Sequence, residues 1–125
     1  MENFEKELKK IRISELLPGM EIKCKAVVKI RKGIFKYADG FAFSLILSDE
    51  SGESIEYTFW GKEKKEVEEL FAKISDDSVL AIEGRVASKG KKRYISSSVP
   101  PKILESREAE FVKKKTSMLK SSTMN

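Results

Sequence analysis

From position 21 the chain alternates apolar and polar residues. In EIKCKAVVKIR, residues 21–31, Ile22, Cys24, Ala26, Val28 and Ile30 share one parity, and Lys23, Lys25, Val27, Lys29 and Arg31 the other. A period of two predicts a strand with one buried and one cationic face. KGIFKYADG, residues 32–40, contains Gly33 and ends in Gly40, and reads as a loop or hairpin tip. FAFSLILSD, residues 41–49, alternates again, with Phe41, Phe43, Leu45 and Leu47 inward and Ala42, Ser44, Ile46 and Ser48 outward. Asp49–Gly52 is a turn, and residues 54–60 are the hairpin partner, with Ile55, Tyr57 and Phe59 inward and Glu56, Thr58 and Trp60 outward. The period then changes. Val67, Leu70, Phe71 and Ile74 stand at i, i+3, i+4 and i+7, the apolar stripe of one helix, which Asp76-Asp77 ends. Residues 79–87 and 94–99 are strand-like, joined by the basic turn SKGKKR, and Pro100-Pro101 stops the second. At the start, Phe4, Leu8 and Ile11 predict a short amphipathic helix over residues 2–11.

Three strands, a helix and two strands follow the plan of an all-β, five-stranded Greek-key barrel, the oligonucleotide/oligosaccharide-binding (OB) fold, with a capping helix between strands three and four. An SH3-like barrel, the competing plan, would lack a ten-residue helix after strand three. The barrel core is predicted to hold Ile22, Val28, Phe43, Leu45, Ile55, Tyr57, Phe59, Leu80, Ile82 and Ile95, with the helical stripe plugging one end. Gly84 would relieve crowding where a small barrel bends. The expected organisation is an N-terminal helical extension over residues 1–12, the barrel over 13–104, and a basic C-terminal helix or tail over 105–125.

Composition narrows the function. The 125 residues carry a formal charge of +5, and the positive charge is gathered: KGKKR at 89–93 holds four cations, while DESGESIE at 49–56 holds four acids. A local cationic cluster suits an anionic polymer, and equally a solvated lysine surface. There is no histidine, and the single cysteine, Cys24, can form neither an internal disulfide nor the usual zinc ligand set. The acidic pairs Asp49/Glu50 and Asp76/Asp77 fall in turns, and no phosphate-cradling glycine motif is present. No enzyme, metal or cofactor is expected. Without an apolar run of membrane length or a signal region, the expectation is a cytoplasmic protein with no membrane partner.

In this fold ligand crosses strands two and three, between the loop joining strands one and two and the loop joining strands four and five. Here both loops are basic and carry aromatics. The only tryptophan, Trp60, has the polar parity of its strand, beside Thr58. Either it is a stacking platform, or it turns inward at a bulge or packs under the helix. Tyr94 shares parity with Ser96 and Ser98, as a groove wall or as a rim residue. Phe35 and Tyr37 alternate with Lys32 and Lys36, to clamp a strand or, for Phe35, to anchor the loop. Lys89, Lys91, Lys92 and Arg93 would meet phosphates or only solvent. Lys29, Arg31 and Arg85 are further cationic candidates.

FSLILSDESGESIEYTFWG resembles the hairpin of strands two and three in replication protein A and archaeal single-stranded DNA-binding proteins. ISELLPGMEIKCKAVV resembles their leading segment, and VLAIEGRVASKGKKRYISSS their last two strands. The likeness spans about residues 13–104, and its most specific element is the D-E-S-G turn leading to T-x-W-G. It implies that Trp60 and Tyr94 occupy the family's two base-stacking positions. It also implies a module that binds single-stranded DNA with little sequence preference, in DNA replication and repair. Two alternatives stand beside it. One is an RNA- or tRNA-binding OB domain. The other is a protein-interaction barrel of a replication complex, associating with itself or with partners through residues 105–120.

Overall fold

The structure, a computed structural model, describes residues 8–105. Among them lie six strands and one α-helix: β1 (Glu21–Tyr37), β2 (Gly40–Ser48), β3 (Ser54–Trp60), α1 (Lys64–Lys73), β4 (Val79–Lys89), β5 (Lys92–Ser97) and β6 (Lys102–Glu105), preceded by a single 3-10 turn, Ile13–Glu15. The strand order is β1-β2-β3-β5-β4, and β1 returns to pair with β4, which closes the barrel. All pairings are antiparallel except β3 with β5. This is an all-β OB-fold with one helix between the third and fourth strands.

Closure depends on one long strand serving two neighbours. The first half of β1 pairs with β4, from Glu21↔Arg85 to Val27↔Val79. The second half pairs with β2, from Val27↔Ser48 to Tyr37↔Gly40. Where β1 changes partner, the Val28 N–H donates to the Ser78 carbonyl at 2.8 Å and the Asp77 N–H donates to the Val28 carbonyl at 2.7 Å. The turn between α1 and β4 thus satisfies backbone groups that a changing ladder would otherwise leave unpaired. Asp77 adopts φ +73° to do so.

Two register shifts follow, between Val28 and Ile30 and between Arg31 and Gly33. Each adds one residue, Lys29 and then Lys32, and each bulge increases the local twist and re-aims the residues beyond it. Two expectations are corrected here. Ile30, predicted inward, pairs with Ile46 on the outer face and is 48% exposed. Residues 32–37, predicted as loop, are strand. Only the two residues before Gly40 turn the chain.

The inward positions form one core. Val28, Phe43, Leu45, Leu47, Tyr57, Leu80, Ile82, Val86 and Ile95 are buried in it. Each large side chain so removed from water contributes about 1.5–3 kcal/mol. Val67 of α1 and the following Ile74 are buried against the barrel end, and Phe71 meets Phe43 at 5.3 Å between ring centroids. A Cβ on Gly61 would lie 2.5 Å from Val67 Cγ2, so glycine lets the chain pass under the helix. A Cβ on Gly84 would lie 2.8 Å from the Ser96 carbonyl, which is the crowding expected of this bend.

Both ends differ from the sequence reading. Residues 8–12, the described part of the predicted N-terminal helix, contain no helix. They run beside β1, with Ile11 N–H donating to the Lys25 carbonyl at 2.8 Å and Lys25 N–H to the Lys9 carbonyl at 2.9 Å. Ile11 is thereby buried. After Pro100-Pro101 the chain does not leave the sheet. β6 pairs with β4 at Val79, Leu80 and Ala81, along the stretch of that edge which β5 does not cover. Residues 1–7, and the possible helix over 105–120 beyond Glu105, lie outside the described residues.

Candidate functional site

The outer face of β1, β2, β3 and β5 carries the chemistry. Strand parity sets its membership, because directly paired residues point to the same side. Ala42 pairs with both Phe35 and Trp60, Ser44 with Gly33 and Thr58, and Ile46 with Ile30 and Glu56. Across the parallel pairing, Glu56 meets Tyr94 and Thr58 meets Ser96. Phe35, Ala42, Ser44, Thr58, Trp60, Tyr94 and Ser96 therefore share one surface.

Trp60 is half-buried at its centre. Its indole N–H donates to Ser96 Oγ at 2.9 Å, and its ring is met edge-on by two aromatics of β1, Tyr37 at 4.9 Å and Phe35 at 5.6 Å between centroids. The interplanar angles, 77° and 88°, are the edge-to-face geometry that ring quadrupoles favour. Tyr37 is fixed in turn, because its hydroxyl donates to the Gly61 carbonyl at 2.5 Å. The indole does not turn inward, nor does it pack under α1. It belongs to a cluster on the outer face that the two bulges of β1 make possible, by carrying Phe35 and Tyr37 over the end of β3.

Beside the aromatics runs a strip of hydroxyls. Ser44 Oγ and Thr58 Oγ1 share a hydrogen bond of 3.0 Å, both side chains being buried among their neighbours. Then comes charge. Glu56 Oε1 receives Lys92 Nζ at 3.1 Å and lies 3.6 Å from Lys32 Nζ. Partial burial disfavours ionisation of Glu56, but the Lys92 hydrogen bond and the two ammonium charges outweigh it and hold the carboxyl below its ordinary range. A recess of about 370 Å³ opens next to this group, lined by Ile46, Ser54, Ile55, Glu56, Lys91, Lys92 and Arg93.

The candidate residues thus divide. Trp60, Phe35, Tyr37, Thr58, Tyr94, Lys32 and Lys92 come together on one surface. Lys89 pairs with Lys92 at the base of the β4–β5 turn and Lys91 lies in it, with Gly90 at φ +63° closing the hairpin. Arg85 shares the parity of Ser96 and is ion-paired to Glu21 at 3.2 Å. Three cations, Lys36, Lys29 and Arg31, are not gathered there, and Arg93 borders the recess with its guanidinium engaged elsewhere. Lys36 pairs with Phe41 and so has the opposite parity to Phe35 and Tyr37. Lys29 is exposed in the first bulge, beside the α1–β4 turn. The Arg31 guanidinium donates to the Phe71 carbonyl at 3.2 Å and lies over the Phe71 ring at 4.9 Å. Arg93 donates to the carbonyls of Ile13, at 2.9 Å, and Leu16, and so holds the 3-10 turn against the barrel. Sequence reasoning set Ser44, Ser96 and Glu56 on the outward face but named none of them as a site residue. Their signal was available, since each has the parity of Trp60 or Tyr94.

A closed barrel of this strand order, with one helix after its third strand and an aromatic outer face across its second and third, defines an OB-fold domain. More particularly, the chain is similar to an OB-fold domain of replication protein A. The crystal structure of a domain of replication protein A from Methanococcus maripaludis superposes with a TM-score of 0.61 at 26% identity, covering 78% of this chain and 97% of that one. The solution structure of the second OB-fold domain of replication protein A from the same organism gives a TM-score of 0.55 at 26% identity, over 77% and 95%. An OBody bound to hen egg-white lysozyme gives 0.55 at 21% identity over 78% and 96%, a likeness of fold alone. No protein-family profile and no curated protein sequence matches the chain. Among the described residues no helix is long and apolar enough to cross a membrane, and no group of three or more Cys, Asp or Glu side chains could hold a metal ion.

Proposed function

We propose that this domain binds single-stranded DNA with little sequence preference, as a module of replication or repair. One observation carries the reading: three aromatic rings, Phe35, Tyr37 and Trp60, are fixed on the outer face of the barrel beside a hydroxyl strip and a lysine-bearing turn. Folding alone needs no such cluster outside the core. Unpaired bases stack on aromatic faces at roughly 1–3 kcal/mol each, whatever the base, because each presents a π-face. Tyr94 offers a further ring on the same surface, and Lys91, Lys92 and Lys32 stand where a backbone crossing it would pass. The likeness to replication protein A domains agrees with this assignment.

The test is titration with oligo-dT, read by tryptophan fluorescence. Trp60 is the sole tryptophan, so quenching reports the site directly. For about three phosphate contacts, log K should fall with log salt at a slope of roughly −2. Affinity that does not change between low and moderate salt would refute the proposal. Competition with the RNA oligomer of the same sequence separates the DNA reading from an RNA one, since the two backbones differ at the 2′-hydroxyl.

A further inference from the structure

The outer face contains one feature that works against its cationic character. Glu56 stands between Ile46 of β2 and Tyr94 of β5, with its side chain only 20% exposed. Lys32 reaches it from the second bulge of β1, and Lys92 reaches it from the opposite side, at the β4–β5 hairpin. Both lysines converge on the same oxygen, Oε1, at 3.6 and 3.1 Å. The three side chains form a strap across the middle of the face. On one side of the strap are Phe35, Tyr37 and Trp60, and on the other the recess beneath Lys91. Two of the lysines best placed for phosphate are therefore already neutralised by a carboxylate of the protein itself.

The geometry points to Glu56 as an internal stand-in for phosphate, an anion that restrains the binding of single-stranded nucleic acid. This inference rests on the function proposed above. A strand crossing from the aromatic cluster to the recess must pass over the strap. Its phosphates can capture Lys32 and Lys92 only by taking them from Glu56. The carboxylate is then left half-buried beside a second negative charge, which disfavours the complex. Glu56 thus lowers affinity, and it lowers the salt dependence as well. The lysines it holds add less net ion release on binding than free lysines would. A module that must let go of its strand during strand exchange or handover gains a faster release from such a competitor.

The test compares wild type, Glu56→Gln and Glu50→Gln in oligo-dT titrations over a range of salt. Glutamine keeps the shape of residue 56 and removes its charge. Glu50 lies in the β2–β3 turn, paired with Lys10, so its substitution changes net charge equally but leaves the strap intact. Thermal melts of all three establish that they are folded. The expected result is that Glu56→Gln binds roughly three- to tenfold tighter than wild type at low salt, with a steeper salt slope, and that the difference shrinks as salt screens the charges. Glu50→Gln should stay close to wild type. Wild type binding as tightly as Glu56→Gln, or the two charge variants gaining equally, would overturn the role of Glu56 and leave the proposed function standing. Binding by Glu56→Gln alone would establish the restraint in its strongest form. Failure of all three to bind would overturn the nucleic-acid reading and this inference together.

Discussion

The indole N–H of Trp60 donates to the hydroxyl of Ser96 across the parallel β3–β5 pairing, at 2.9 Å. That bond fixes the ring at its polar edge, while Tyr37 and Phe35 brace it from β1. Trp60→Ala should weaken oligo-dT binding by about 1–3 kcal/mol, measured by anisotropy of a labelled oligomer, because a stacking surface is lost. Cooperative melting should persist, since the ring lies outside the core. Ser96→Ala should have a smaller effect, about 0.5–1.5 kcal/mol, as only the tether is removed.

Adjacent cations at the β4–β5 hairpin should behave oppositely. The Arg93 guanidinium is committed to the carbonyls of Ile13 and Leu16, whereas Lys92 lies on the outer face against Glu56. Arg93→Ala should lower stability by about 1.5–3 kcal/mol in urea unfolding, the cost of losing charged hydrogen bonds to backbone. Its effect on the salt slope should be slight. Lys92→Ala should leave unfolding nearly unchanged and make the slope shallower by less than the roughly 0.7 of one free phosphate contact, because Glu56 already neutralises part of the Lys92 charge.

Asp49 ties the β2–β3 turn to the leading segment. Its carboxylate accepts the Ser51 hydroxyl at 2.6 Å and N–H at 2.9 Å, and the Ile13 N–H at 2.8 Å. The Ser51 hydroxyl first, and then the Ile13 N–H, hold its carboxyl below the ordinary value of 3.8. A depressed folded value means that the carboxylate's contribution is complete above the unfolded value and disappears as pH falls through the folded one. Melting temperature should therefore decline on acidification below roughly pH 4. Asp49→Asn should melt lower than wild type at neutral pH, and the two should converge in acid.

The legible part of the fold was the part with unbroken periodicity. Phe43, Leu45 and Leu47 with Ile55, Tyr57 and Phe59 declared the β2–β3 hairpin, and Val67 to Ile74 declared the helix; all lie where alternation or the helical stripe put them. Parity put Trp60 on the polar side of its strand but left an inward turn or packing under the helix open, and the indole lies on the outer face. What stayed hidden lay beyond a bulge or depended on a distant partner. Two inserted residues, Lys29 and Lys32, reset the parity of β1, so Ile30 looked internal and residues 32–37 looked like loop. The partners of Arg31 and Arg93 are main-chain carbonyls distant in sequence, which no local pattern announces. β6 is four residues long after two prolines, and its identity comes from the edge of β4 that it covers.

Cys24 gives an independent check on the packing of β1. Burial pushes its thiol up to about 11, so almost no thiolate exists at neutral pH. A thiol reagent at about pH 8 should modify the native protein far more slowly than the protein in denaturant. The native rate should follow the opening of the barrel. Rapid native labelling would mean that the β1–β4 seam is looser than described.

The hydroxyl of Tyr37 bonded to the Gly61 carbonyl joins the tip of the first hairpin to the residue that follows β3. A tip so moored is braced as a wall rather than free to swing as a flap, so under the proposed function an oligomer would meet it already in position. Capture should then be close to encounter-controlled, with little conformational entropy left to lose, and cutting the mooring with phenylalanine at position 37 would convert a rigid receptor into one that must organise itself around each guest.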